Sequence, residues 1–235
     1  MSERFFVAAP IAGDSAELVG DEARHLTAVM RAAVGDEVVL FDGSGGEFLA
    51  RVTAISKRAV ELAIALRREP ARELPQPLTL AVALPKGDRQ KWLIEKATEL
   101  GVTCLVPLVT ERGVALPVES ALDRLRRSVV EACKQCGRNR LLEIASPANA
   151  ADYFRQVPAN AERWIADPVG VAVPAAAVLR PIFCAIGPEG GFTPAEVAAA
   201  FSAGWRAVSL GPRILRVETA AIALAAIAAT KLERG

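Results

Sequence analysis

The 235-residue sequence predicts an α/β protein with a small β-rich module in front of it. Two patterns carry that expectation. From residue 78 onward, short apolar runs alternate with helix-like segments, which implies a mostly parallel sheet with helices on both faces. Near the C-terminus, two glycine-bearing turns, Gly187-Pro188-Glu189-Gly190-Gly191-Phe192 and Leu210-Gly211-Pro212-Arg213-Ile214-Leu215-Arg216, each follow such a run and precede a helix-like segment. Glycine lets backbone groups approach a ligand with no Cβ in the way, and open α/β sheets bind ligands at the carboxyl ends of their strands. The two turns together predict one pocket, in roughly the last fifty residues.

Along the chain, residues 5–8, 37–41, 47–55 and 60–66 read as short strands, with Asp42-Gly43-Ser44-Gly45-Gly46 turning the second into the third. A short helix is expected over 21–31. Residues 67–77 are charged and punctuated by proline, which marks a linker and sets the expected domains at 1–72 and 73–235. Beyond it, strands are expected at 78–84 and 103–109, and helices at 88–100 and 122–136 closed by Gly101 and Gly137. Strands at 164–166, 182–186 and 207–210 and helices at 194–201 and 218–232 complete the pattern.

Composition excludes several classes. A hydrophobic content of 52% supports a packed core with little disorder. The net charge of +1 hides local imbalance: residues 1–72 hold nine Lys/Arg against eleven Asp/Glu, whereas residues 124–140 hold six against one. A polyanion would thus meet a patch, centred on Arg124, Arg126, Arg127, Lys134, Arg138 and Arg140. The four cysteines, Cys104, Cys133, Cys136 and Cys184, lack the dense spacing of a disulfide scaffold, so a reducing cytoplasm is expected. Cys133-x-x-Cys136 has no second such pair, and the single histidine, His25, is distant in sequence, so no metal is expected. No signal peptide is expected at the N-terminus. The most apolar stretch, 219–230, is about half the length of a membrane helix. It reads as a helix buried in a core or against a second subunit.

The usual nucleotide motifs are absent. A phosphate-binding loop would need Lys-Ser or Lys-Thr after its second glycine, and a dinucleotide fingerprint would need G-x-G-x-x-G where this chain has G-P-E-G-G. Kinase, ATPase and dehydrogenase readings drop.

The two loops, extended to Ile186 and to Val217-Glu218-Thr219-Ala220, closely resemble the signature loops of the RsmE family of ribosomal RNA methyltransferases, within the SPOUT superfamily. Three further stretches agree in order and spacing: Arg24-His25-Leu26 through Arg31, Lys86-Gly87-Asp88 through Gly101, and Glu131 through Arg138. The resemblance implies a PUA-like RNA-binding β-barrel followed by a trefoil-knotted α/β domain, and a homodimer. It further implies methylation of N3 of a specific uridine in 16S ribosomal RNA with S-adenosyl-L-methionine as donor. The donor would lie among Ile186, Gly187, Gly190, Gly191, Leu210, Gly211, Ile214, Leu215, Thr219 and Ala220. RNA contacts would come from Arg24, His25, Arg31, Arg112 and Arg138, with Arg138 foremost. Ribose methylation and a non-catalytic role in ribosome assembly are the competing readings.

Uridine N3 carries a proton and is a poor nucleophile until it leaves, so a base or a cation that stabilises the anion is required. Glu189 and Arg216 are the candidate catalytic residues. Arginine stays protonated, so Arg216 takes an electrostatic role. An Arg216–Glu218 ion pair is the bland alternative, and loop support is the stronger expectation for Glu189, which leaves the base unassigned.

Overall fold

A computed structural model describes residues 3–113 and 118–233 of the chain, which divides into two compact units. One comprises Met1–Glu73 with Val130–Leu141; the other comprises Leu74–Val129 with Leu142–Gly235.

The first unit is built on a five-stranded sheet of β1 (Arg4–Phe6), β2 (Ser15–Val19), β3 (Glu37–Phe41), β4 (Glu47–Ile55) and β5 (Ala59–Arg68), in the order β1-β3-β4-β5-β2. Only the β1–β3 pair is parallel. Period-two alternation sends Phe48, Ala50 and Val52 of β4 inward, where they meet Phe5, Leu40 and Leu62. The edge strand β2 lay outside the sequence expectation because it buries a single large side chain, Leu18. The helix expected over 21–31 is shorter: α1 (Gly20–Arg24) passes into a π-helical turn at His25–Val29 and stops at Arg31, whose φ of 56° is left-handed. Arg67 and Arg68, expected in the linker, belong to β5.

The second unit carries a fully parallel sheet in the order β12-β10-β11-β6-β7-β8, from β6 (Leu78–Val82), β7 (Cys104–Val109), β8 (Glu143–Ile144), β10 (Glu162–Ala172), β11 (Ile182–Ile186) and β12 (Arg206–Ser209). The short β9 (Ala148–Asn149) pairs with the far end of β7. Central β6 is buried at every position, as a strand covered on both faces must be. Helix α4 (Ala150–Gln156) and α5 (Pro194–Ser202) cover one face, where Tyr153, Phe154, Ala200 and Trp205 pack with Ala81, Val106, Ile165 and Ala185. On the other face α6 (Val217–Glu233) lies against β6 and β11 and beside α2 (Arg89–Glu99). Helix α3 (Glu119–Cys136) is divided between the units, its residues to Val129 counting with the second and those from Val130 with the first.

Two departures follow from local irregularity. Helix α4 was missed because its seven residues are too few to show a period, although Asn149 caps it by accepting from the amides of Ala151 and Asp152. Strand β10 runs well past Ala166, where the sequence expectation ended, because Ala166 and Val171 both pair with Val208 and the chain between them bulges out. Among the described residues no helix is long and apolar enough to cross a membrane.

Candidate functional site

The carboxyl ends of β10, β11 and β12 open into a cavity of about 210 Å³ in the second unit. Each wall has a local cause. Ile186, Gly187, Pro188, Glu189 and Gly191 come from the turn that ends β11, and Leu210, Gly211, Ile214 and Leu215 come from the turn that ends β12. Ala220 and Val217 close the cavity from the first turns of α6. Gly211 has φ 104°, a backbone conformation that would strain any other residue, so the second turn depends on glycine at that point. Of the ten residues expected around a donor, eight line this cavity. Gly190 and Thr219 do not. Ile214 is 91% exposed, an apolar side chain standing at the mouth with no protein partner over it.

Sequence reasoning missed one wall entirely. The bulge in β10 delivers Asp167 and Pro168 to the cavity, and Asp167 folds it by accepting from the amide of Val169 at 2.9 Å. Asp-Pro-Val-Gly is a turn sequence, which was the signal available.

Charged groups ring the cavity. Glu218, at the start of α6 and 6% exposed, faces Arg89 of α2 at 3.6 Å, and the same Arg89 Nη1 lies 3.5 Å from Glu189. The Arg216–Glu218 pair expected as an alternative does not form: Glu218 turns inward, while Arg216 is exposed and has no ion-pair partner among the described residues. Behind the first loop, Thr193 and Glu196 form a capping box at the start of α5. Buried Glu196 also accepts from the amide of Glu111 at 2.9 Å, which ties the chain after β7 to the chain after β11. Arg112, next in sequence, donates to the Gly190 carbonyl at 2.8 Å. Gly190 therefore serves the outer side of the loop.

This geometry can be set beside known proteins. Residues 72–229 match the family model of an RNA methyltransferase domain, and residues 18–65 match that of an RNA methyltransferase PUA domain. A Synechocystis protein named ribosomal RNA small subunit methyltransferase E is 35% identical over 86% of this chain and 69% of its own length. The Bacillus subtilis protein of that name is 32% identical over 93% and 91%. The chain belongs to the ribosomal RNA small subunit methyltransferase E family. Its fold is accordingly an α/β methyltransferase fold with an N-terminal PUA-like domain. The family's solved member from Neisseria gonorrhoeae, bound to S-adenosyl methionine, superposes with a TM-score of 0.90 at 31% identity, with 98% of each chain covered. A methyltransferase of Legionella pneumophila, also solved with that molecule bound, gives 0.88 at 30% identity and 98% coverage of both chains.

The side chains expected to touch RNA in an enzyme of this family divide sharply. Arg24 and Arg31 are exposed, Arg24 beside Asp21 at 2.7 Å. His25 is half-buried, its ring 5.7 Å from that of Phe5. Arg138, the foremost expectation, is only 4% exposed, and its Nε and Nη2 grip the Glu73 carboxylate at 3.0 and 2.7 Å. Beside it, Arg4 bonds Asn139 and Glu47, and Arg72 bonds Glu47 and the Gly137 carbonyl, each of the last three at 2.6 Å. Arg138 thus fastens the segment after α3 into the first unit instead of presenting charge to solvent. The patch thins further, since Arg126 is paired with Glu119 and Asp123 and Lys134 with Glu22 and Glu131. Arg124, Arg127 and Arg140 remain exposed.

All four cysteines are free thiols, Cys133 and Cys184 buried and Cys104 and Cys136 half-buried. Burial pushes the Cys133 thiol up to about 12 and that of Cys104 up to about 11, so neither is an available thiolate near neutrality. Among the described residues no three His, Cys, Asp or Glu side chains converge as a metal site would require.

Proposed function

We propose that this chain is an S-adenosyl-L-methionine-dependent methyltransferase acting on N3 of a specific uridine in 16S ribosomal RNA. The observation that carries the reading is the cavity at the ends of β10, β11 and β12, built by the two loops on which the family resemblance rests. Its chemistry suits that donor. Leu210, Ile214 and Leu215 offer apolar faces for a purine, the glycine turns expose main-chain groups to its edge, and Asp167 offers an acceptor for hydroxyl or ammonium hydrogens. Arg213 at the mouth is a cation for a carboxylate. Bound there, the donor would supply a methyl on an electrophilic sulfonium, and the bond from N3 to that carbon forms as the carbon–sulfur pair leaves on sulfur.

The chain's own residues then have three tasks. The loops hold the reacting atoms in line and exclude water, which is where most of the acceleration originates. Glu189, on the cavity wall, accepts the N3 proton. Exposed Arg216, which has no ion-pair partner among the described residues, balances the negative charge that develops on the uracil oxygens. We further assign residues 1–72 to a PUA-like RNA-binding barrel and 73–235 to a trefoil-knotted SPOUT domain. The strand order, with β11 between β6 and β10, supports that topology. The weakly amphipathic, alanine-rich α6 supports assembly as a homodimer, and an rRNA substrate supports a cytoplasmic location.

The test is calorimetry with S-adenosyl-L-methionine, followed by incubation with labelled donor and unmodified small-subunit RNA and digestion to nucleosides. Donor binding and label in 3-methyluridine are expected. Label in a ribose-methylated nucleoside, or no heat of donor binding, would overturn the assignment. Leu215→Asp, which places a carboxylate in an apolar wall, should abolish donor binding.

A further inference from the structure

A second cavity of about 210 Å³ lies in the same unit, lined by Ala83, Leu84 and Pro85 after β6, by Leu108 and Gly113 on the β7 side, and by Lys86 and Gln90. It shares two wall residues, Pro188 and Glu189, with the donor cavity. Nothing in the expected site residues accounts for it, apart from Glu189. Its volume leaves room for several water molecules, and so for a single pyrimidine ring.

Its lining is chemically particular. Ala83, Leu84, Pro85, Leu108 and Pro188 make an apolar floor of the sort that receives the face of a flat ring. Three polar side chains stand among them. Lys86 is exposed and donates only. Gln90 is held by donation from its Nε2 to the Pro85 carbonyl at 2.7 Å, which leaves it a second N–H. Glu189, as a carboxylate, offers acceptors and no donor. Two donors and an acceptor complement an imide edge, in which two carbonyl oxygens flank one N–H. A cytosine edge, with a bare ring nitrogen in the central position, meets no donor from Glu189.

We infer that this second cavity receives the target base as an extruded pyrimidine, with Lys86 and Gln90 on its two carbonyl oxygens and Glu189 on N3–H. The inference rests on the methyltransferase reading above and deepens it, because it gives the selection of uridine over cytidine a physical origin in Lys86, Gln90 and Glu189. It also explains why Glu189 belongs to both cavities: the atom to be methylated must lie where donor and acceptor spaces meet. Flipping a base out of its stack into a snug pocket is how proteins reach ring atoms inside structured nucleic acid.

The test compares Lys86→Met and Gln90→Met with the unaltered full-length protein, using unmodified small-subunit RNA transcript as substrate. Each variant should lower kcat/KM for RNA about tenfold or more, the loss of a hydrogen bond between a charged or oriented donor and substrate. The dissociation constant for S-adenosyl-L-methionine should stay within about twofold, which a general folding defect would not allow. Lys86 is exposed, so its variant folds even if the Gln90 variant does not. In parallel, transcript carrying 4-thiouridine is irradiated on the unaltered protein, and the crosslinked peptide should come from residues 83–90, 108–113 or 188–189. If the unaltered protein forms 3-methyluridine while Lys86→Met keeps full RNA turnover, or crosslinks map only elsewhere, the base pocket is wrong and the methyltransferase reading survives. If the unaltered protein neither binds the donor nor forms 3-methyluridine, both fall.

Discussion

Arg216 and Arg138 show how little residue type says about role. Both are arginines in family-like motifs, yet Arg138 is locked on Glu73 in the first unit while Arg216 stands exposed between the cavity-lining Leu215 and Val217, with no ion-pair partner among the described residues. Only a guanidinium that is not already neutralised by a carboxylate can respond to charge appearing on a substrate. Arg216→Gln is therefore expected to lower kcat by about 100-fold or more while leaving donor affinity within about twofold, the pattern of an interaction made in the transition state alone. Steady-state kinetics alongside calorimetry distinguishes this from a loss of uniform binding, which would raise KM and spare kcat. Arg138→Gln, by contrast, should act on folding, because it removes the buried guanidinium that pairs with the half-buried Glu73 carboxylate, and thermal melting is where its effect will be read.

At the scale of elements, the pocket depends on irregularities more than on regular strands. Gly170 sits where the bulged part of β10 crosses β12: a Cβ there would fall 2.7 Å from the Ala207 carbonyl carbon and the Val208 nitrogen, both backbone atoms that cannot step aside. Gly170→Ala should cost about 1–3 kcal/mol in stability and weaken donor binding as well, since Asp167 and Pro168 on the same bulge line the cavity. Melting curves and donor titration of that single variant check both halves. Glu196 is the equivalent device for the other loop. Its carboxylate satisfies the amides of Thr193 and Glu111 at 2.8 and 2.9 Å, so Glu196→Ala leaves two donors without that acceptor and should cost about 2–4 kcal/mol. Glu196→Gln, which retains an acceptor oxygen, should recover much of that loss. An intact melting temperature in Glu196→Ala would remove the tether from the account of how the loops are held.

For the molecule as a whole, the sequence made legible what repeats and hid what occurs once. Buried runs such as Leu78–Val82 and Ile182–Ile186, separated by helix-length segments, announced a parallel sheet, and two glycine turns announced the cavity between their strands. The edge strand β2 buries one large side chain, and the seven-residue α4 and the bulge after Ala166 each rest on a single local event, a cap or a shifted register, so none of the three has a period to detect. Burial was illegible for a different reason. Whether an arginine faces solvent or a carboxylate is decided by residues distant in sequence, as Glu73 and Arg138 are, and charge counts in a window cannot see them.

Those distant pairings also set how the whole chain responds to acid. Three carboxylates are held below their ordinary range. For Glu47, burial alone would raise the pKa, but hydrogen bonds from Arg72 and Arg4 outweigh it. For Glu162, burial is again opposed and overcome, by Arg180 together with the Trp164 indole. For Asp42, burial is overcome by the Ser44 hydroxyl and the amides of Ile11 and Ser44. A carboxylate depressed in the folded state contributes stability that is fully present above its unfolded pKa, near 4, and disappears as pH falls through the folded value. The melting temperature should therefore hold steady from neutrality to about pH 5 and then drop steeply. Glu47 belongs to the first unit and Glu162 to the second, so both units should lose stability in acid. Glu47→Gln and Glu162→Gln should each melt about 3–6 °C lower at pH 7, lose less on acidification, and converge on the unaltered protein at the lowest pH. Parallel curves, with the variants displaced equally at every pH, would mean that these ion pairs contribute by shape and packing and not by charge.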